Sequence, residues 1–317
     1  MKILRHWRWP AIIVIAVVGS GLLYALVLER NHLKIHYFED GIIQKAQSRE
    51  VTRGSDTLAV VIHGYTASPM TMAPILDRLR EDTDYDLWAP LLKYHGRTLS
   101  AFRAFDPAEL VEDVRARLEG KAEGYDRLIL IGHSLGGAVL YDLALRDALP
   151  EGAHLILLAP SIAIREDTPS NRWKIRAFRL FAPYCDFAFL GCHTPNPRSS
   201  DGNATVNPLP ALYAQTIFFV TMMTPALTLF DYANTLWAEA ERLDRPITII
   251  MGNDDNSVPY ETIKALCERL AACAFHTIEG ASHLAMFGDK AGPYTALIAN
   301  LAKGAGEPPS SPQAAPN

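Results

Sequence analysis

The chain has no excess of basic charge: 30 Lys and Arg stand against 35 Asp and Glu across 317 residues, for a formal charge of −5. That balance gives no general electrostatic reason to bind nucleic acid, and no RNP, zinc-finger or basic helical signature supplies a specific one. Nucleic acid is not an expected partner. Cysteine is scarce. The four residues fall into two sequence pairs, Cys185 with Cys192 and Cys267 with Cys273, and neither has the spacing of a zinc site. Internal repeats are absent as well, which sets aside repeat architectures.

The makeup that remains is that of a globular protein, 49% apolar and 21% charged, able to bury a substantial core. One stretch departs from it. From 10 to 28 (PAIIVIAVVGSGLLYALVL) there is no charged residue, and as a helix this length crosses roughly 30 Å of hydrocarbon. Lys2, Arg5 and Arg8 precede it, with Trp7 and Trp9 at interface depth. The positive-inside rule then keeps residues 1–9 cytoplasmic and places the rest of the chain outside, as a single-pass membrane protein. A cleaved signal peptide is the competing reading, although its apolar core would be shorter and would end in an A-x-A-like site. In an extracytoplasmic domain both cysteine pairs can oxidise; buried free thiols are the alternative, above all for Cys267 and Cys273.

Residues 29–56 read as a stalk leading into a first strand or hairpin. From 57 to 303 short apolar runs alternate with amphipathic helical patterns, the signature of a mostly parallel sheet covered by helices in the α/β class. The expected strands are 58–62, 86–89, 128–131, 155–158, 247–251 and 274–278, each short and apolar as buried parallel strands are. The expected helices are 70–80, 107–119, 136–147 and 260–272. Between about 161 and 243 an aromatic, Pro- and Met-rich insert interrupts the rhythm. It reads as a helical lid over an apolar pocket, or as a helical subdomain packed on the core. The tail 304–317 is Pro-, Ser- and Ala-rich, and disorder is expected there. Asn203-Ala204-Thr205 is a glycosylation sequon that has meaning only in a eukaryotic secretory pathway.

The chemistry centres on Gly132-His133-Ser134-Leu135-Gly136, which follows the run RLILI and precedes a helical pattern. A bare G-x-S-x-G is weak, but a strand before and a helix after make it a nucleophile elbow. The turn must be sharp enough to strain Ser134, with Gly132 and Gly136 removing side chains that would collide with backbone. It presents the hydroxyl at a helix N-terminus, beside N–H groups suited to a developing oxyanion. A serine hydroxyl needs a base, and the base a carboxylate. After the run ITIIM comes Gly252-Asn253-Asp254-Asp255, and after the next strand Glu279-Gly280-Ala281-Ser282-His283. Both loops leave the C-terminal edge of the sheet, where active-site residues of open parallel sheets collect. Of the ten histidines, His283 has the order and position of the base, while His133 is expected to point away from the nucleophile and to serve packing.

With these motifs in place the chain, from about 58 to 301, resembles the α/β-hydrolase family, and within it the lid-bearing carboxylesterases and monoacylglycerol-lipase-like hydrolases grouped with serine aminopeptidases. The resemblance carries a strand that ends in His-Gly plus an aromatic, matched by VVIHGYTASP at 60–69. It implies an oxyanion hole made by the backbone N–H groups of Tyr65 and Leu135. The family's acid follows G-x-x-D-x-x-V-P, which selects Asp255 over Asp254 because Gly252, Val258 and Pro259 fall in register. Its Gly-His-Gly turn is matched by Tyr94-His95-Gly96, with tyrosine in the first glycine's place. The implied triad is Ser134, Asp255 and His283, acting on carboxylic esters of lipid or other apolar acyl groups with no metal or cofactor. A thioesterase, a peptidase, an acyltransferase or an inactive binding protein on the same fold are the alternatives.

Overall fold

The computed structural model of the chain describes residues 8–163 and 220–304, and between them only positions 176, 179–180 and 194–195. Most of the insert, including Cys185, Cys192 and the sequon, lies outside the described residues, as does the tail after 304.

The charge-free N-terminal stretch forms helix α1 (Arg8–Ile35), which continues past Leu28 into the polar residues Glu29 to Lys34. It is long and apolar enough to cross a membrane, and only 11% of its most apolar window is buried. What reads from sequence as a stalk is ordered. It contains the rest of α1 and a hairpin of β1 (Phe38–Glu39) with β2 (Ile42–Ile43). Strand β3 (Arg49–Val51) follows.

The core strands follow from composition. In β4 (Thr57–Ile62) all six residues are buried, and alternate side chains enter opposite layers. Leu58, Val60 and Ile62 join one apolar cluster, while Ala59 and Val61 join the other. The same logic builds β5 (Asp86–Ala89), β6 (Arg127–His133), β7 (His154–Leu158), β10 (Ile247–Gly252) and β11 (Cys273–Ile278). The sheet order is β11-β10-β7-β6-β4-β5-β3, and every neighbouring pair is parallel except β3 with β5. A separate short pair joins β8 (Thr194–Pro195) to β9 (Val220–Thr221).

Helices fill both faces. On one side lie α4 (Pro107–Ala122) and α5 (Leu135–Leu145), with α7 (Tyr260–Arg269). On the other lie α2 (Ala73–Asp82) and α8 (Ala291–Gly304). A short α3 (Leu99–Arg103) follows β5. Within the insert, α6 (Met223–Glu239) packs Ala233 and Leu236 against the main domain. The start of α4 shows how sequence sets a boundary: Asp106 accepts hydrogen bonds from the Ala108 and Glu109 amides, and Pro107 needs no donor partner there.

Cys267, at the end of α7, is disulfide-bonded to Cys273, the first residue of β11, across a separation of 6. That bond fixes where the edge strand begins. Closing so short a loop stabilises a fold by about 2 kcal/mol through the unfolded chain. Replacing both cysteines with serine should lower the thermal midpoint by roughly 5 °C, read by calorimetry on the oxidised protein. An unchanged midpoint would show that the staple adds nothing.

Candidate active site

Because six of the seven sheet strands run the same way, the loops after β4, β6, β10 and β11 leave from one edge, and every sequence-selected residue lies there. Ser134 follows β6 with φ 52° and ψ −113°, a conformation that L residues rarely adopt. The glycines beside it are sterically required. A Cβ on Gly132 would stand 2.5 Å from the Gly136 carbonyl oxygen, and one on Gly136 would stand 2.5 Å from that of Ile62. The elbow is held by backbone: the Ser134 N–H donates to Leu158 O (2.9 Å) and its carbonyl accepts from Ser161 N (3.1 Å).

The loops after β10 and β11 are zipped together. The Asp254 N–H donates to Ala281 O (3.1 Å), and the Gly280 N–H donates to Asn253 Oδ1 (2.7 Å). Gly252 makes this approach possible, since a Cβ there would lie 2.0 Å from Ala281 O. The result is an Asp255 Oδ2 to His283 Nδ1 distance of 2.7 Å, with the ring nitrogen donating. Asp255 Oδ1 accepts from Ser257 N (2.7 Å) and Val258 N (2.8 Å), so both carboxylate oxygens are used. Asp254, by contrast, is exposed. Burial tends to raise the Asp255 pKa, but the hydrogen bond and charge of His283 and the two amides outweigh it and hold the carboxyl below its ordinary value of 3.8.

His133 does more than pack. It is buried, its Nε2–H donates to the backbone carbonyl of His283 (2.9 Å), and the two rings lie 4.8 Å apart. Burial, then the neighbouring His283, pushes its pKa down to about 3, so it remains neutral. Its Nδ1 has no hydrogen-bond partner among the described residues and faces the Cα side of Gly64. The Ser134 hydroxyl pairs with Ser161 Oγ at 3.0 Å, and no hydrogen bond joins it to His283 among the described residues. Asp255 with His283 and Ser134 with Ser161 are thus two pairs, bridged by His133. Neither Ser161 nor the His133 contact carried a sequence signal, because Ser161 follows Ala159-Pro160 without a motif.

The wall opposite is built by β4. A Cβ on Gly64 would meet Ser134 Cβ at 3.1 Å, so the turn after β4 lies directly against the elbow that begins α5. His63 ties this wall to the loop after β5: its Nδ1–H donates to Gly64 O (2.9 Å), and its Nε2 accepts from Leu92 N (3.1 Å). The Tyr65 ring packs against Phe102 and Phe105 at 5.2 and 5.8 Å. Tyr94 takes φ 72°, the left-handed region that the glycine it replaces enters freely. Its hydroxyl donates to Glu109, which helps to fix that turn. Among the described residues no group of three or more His, Cys, Asp or Glu side chains could hold a metal ion.

The family profile described as alpha/beta hydrolase matches residues 59–295. The chain belongs to the alpha/beta hydrolase family. No curated protein matches its sequence. Among solved structures, one reported for LipS and LipT, two metagenome-derived lipolytic enzymes, aligns with a TM-score of 0.64 at 18% identity. The match covers 83% of this chain and 99% of that one. The monoacylglycerol lipase of Paleococcus ferrophilus aligns at 0.63 and 17%, covering 80% and 96%. A carboxylesterase structure from Nitrososphaera gargenis aligns at 0.58 and 16%, covering 81% and 93%. At these identities the likeness is one of fold, and this α/β hydrolase shares its sheet and crossovers with all three.

The depressed Asp255 pKa has a consequence for acid stability. Its contribution is complete above the unfolded value near 3.8 and is lost as pH falls through the lower folded value. Between about pH 5 and 2 the thermal midpoint of the wild type should therefore fall more steeply than that of Asp255→Asn. Parallel slopes would show that the carboxylate is not held by these donors.

Proposed function

We propose that the protein is a serine hydrolase that cleaves carboxylic esters with apolar acyl groups, through an acyl-enzyme on Ser134. The observation that carries this reading is the pairing of buried Asp255 with half-buried His283, at the same sheet edge as a serine held at positive φ on a strand-to-helix elbow. In the reading, Ser134 Oγ attacks the ester carbonyl carbon while His283 Nε2 takes its proton. Asp255 fixes the imidazole so that Nδ1 carries hydrogen and Nε2 is the basic nitrogen. The Tyr65 and Leu135 amides donate to the oxyanion. Collapse expels the alcohol with the proton from His283, and water then repeats the steps to release the acid. The hydroxyl must first leave Ser161 for the ring, and contacts of this kind commonly tighten only with substrate bound.

The names of the structural neighbours, which include lipolytic enzymes, a monoacylglycerol lipase and carboxylesterases, support ester hydrolysis over other acyl-transfer chemistry. The apolar α1 supports a membrane-held protein whose catalytic domain lies outside the cytoplasm. His133 acts in this scheme as a positioning residue, since its bond to the His283 carbonyl sets where the imidazole sits.

A fluorophosphonate probe should label the wild type, and Ser134→Ala should abolish labelling and lower ester hydrolysis by at least about 10⁴-fold. Labelling that survives this substitution would sink the assignment. His133→Ala should lower kcat roughly a hundredfold through misplacement of the ring, with KM little changed. His133→Gln, whose amide can donate to the same carbonyl, should recover most of it. Equal loss in both variants would make His133 a packing residue only.

A further inference from the structure

The anchor helix is not a free tether. Its last turns are built into the domain through three positions on one face, 28, 29 and 32. Leu28 packs into the cluster of Ile43, Leu91, Leu99, Phe102 and Met222. The Glu29 carboxylate accepts from the Ser100 amide (3.2 Å), and the buried His32 donates its Nε2–H to the Arg97 carbonyl (2.8 Å). Beside these contacts Leu26, Val27, Leu33 and Ile35 are exposed, followed by exposed Tyr37. Lys34 is exposed beside them. Aliphatic, aromatic and Lys side chains at the end of an apolar span are the composition of a membrane–water interface.

The receiving surface determines what this docking does. Segment 97–102 follows β5, so it lies on the edge of the sheet that also carries Ser134, Asp255 and His283. Phe102 of that segment packs on the Tyr65 ring, next to the amide assigned to the oxyanion. Most side chains from Ile12 to Val27 are exposed, although Gly21 is buried and Tyr24 and Ala25 are half-buried, and an exposed apolar surface of this length is one that hydrocarbon covers. Residues 28–35 then rise about 12 Å from that level. Docked on segment 97–102, these turns tie the edge that carries Ser134 to the end of the apolar span.

We propose that the docked α1 holds the active-site edge against the surface of its own membrane, so that the substrate is an acyl ester resident in the leaflet from which the anchor emerges. The inference rests on the hydrolase reading and names its substrate source. Hydrolysis in this geometry is confined to the plane of one bilayer, and tethering raises the effective substrate concentration without any new contact. The orientation of the edge decides how much of that concentration the site can use.

The test uses the full chain reconstituted in phosphatidylcholine vesicles that contain a fluorogenic long-chain acylglycerol. The ester is placed either in the enzyme's own vesicles or in separate ones, and a water-soluble short-chain ester serves as the reference. Hydrolysis in the enzyme's own vesicles should exceed that in separate vesicles by about tenfold or more. The variant Leu28→Ala/Glu29→Ala/His32→Ala should lose most of that advantage while cleaving the soluble ester at the wild-type rate. A second variant, with a flexible Gly-Ser segment inserted after Val27, leaves the docked turns intact and should lose the same advantage. Equal rates in the two vesicle arrangements, or either variant keeping the wild-type advantage, would overturn the proposal. So would a mature chain that lacks α1 by intact mass or fails to float with vesicles. Absence of both soluble-ester hydrolysis and probe labelling in the wild type would instead overturn the hydrolase reading.

Discussion

Everything at the catalytic edge depends on two loops being allowed to touch. The chain after β11 crosses directly over the last residue of β10, and the crossing is closer than any side chain permits: Ala281 O occupies the space a Cβ on Gly252 would need. Parallel pairing of the two strands, with Gly252 opposite Ile278, delivers both loops to the same height. The hydrogen bonds of Asp254 and Asn253 then close the seam. The Asp255–His283 contact is a product of that seam. The geometry of Asp255 and His283 is thus set by backbone, with little left to side-chain freedom.

Three buried histidines act as struts around this seam. His63 joins the end of β4 to the loop after β5, His95 donates to the Lys93 carbonyl within that loop, and His133 ties the elbow to the His283 loop. Each uses a neutral ring, and burial lowers the pKa of each, to about 4 for His95 and about 3 for His133. A neutral imidazole offers one donor and one acceptor at fixed separation, which suits bridging between loops whose carbonyls face inward. Lysine or arginine could not replace it there without burying an uncompensated charge.

The central strands were legible because they are buried on both faces, so their apolar runs stand out without alternation. The elements to which the sequence assigns no range lack that signal. β3 (Arg49–Val51) is a short edge strand with exposed Arg49 and Glu50. α3 (Leu99–Arg103) is too short to show a period. The expected end of the apolar span at 28 marks a change of solvent, whereas the helix itself runs on to 35 because nothing in Glu29 to Lys34 breaks it. At the site, the order of Ser134, Asp255 and His283 selects loops that the structure brings to one edge of the sheet, since loop position follows from strand order. The His133 to His283 bond could not be read, because it joins a side chain to a backbone carbonyl 150 residues away. The pairing of Ser134 with Ser161 escaped for the same reason: a rotamer leaves no trace in composition.

The Cys267–Cys273 bond sits where the outermost strand of the sheet begins, and that strand leads directly into the loop of the imidazole. Its formation needs an oxidising compartment, so the chain cannot complete this brace while its thiols are kept reduced. A reduced chain holds its outermost strand only by pairing with β10 and by packing, so the oxidation state of two sulfur atoms bears on how firmly the loop of the imidazole is seated.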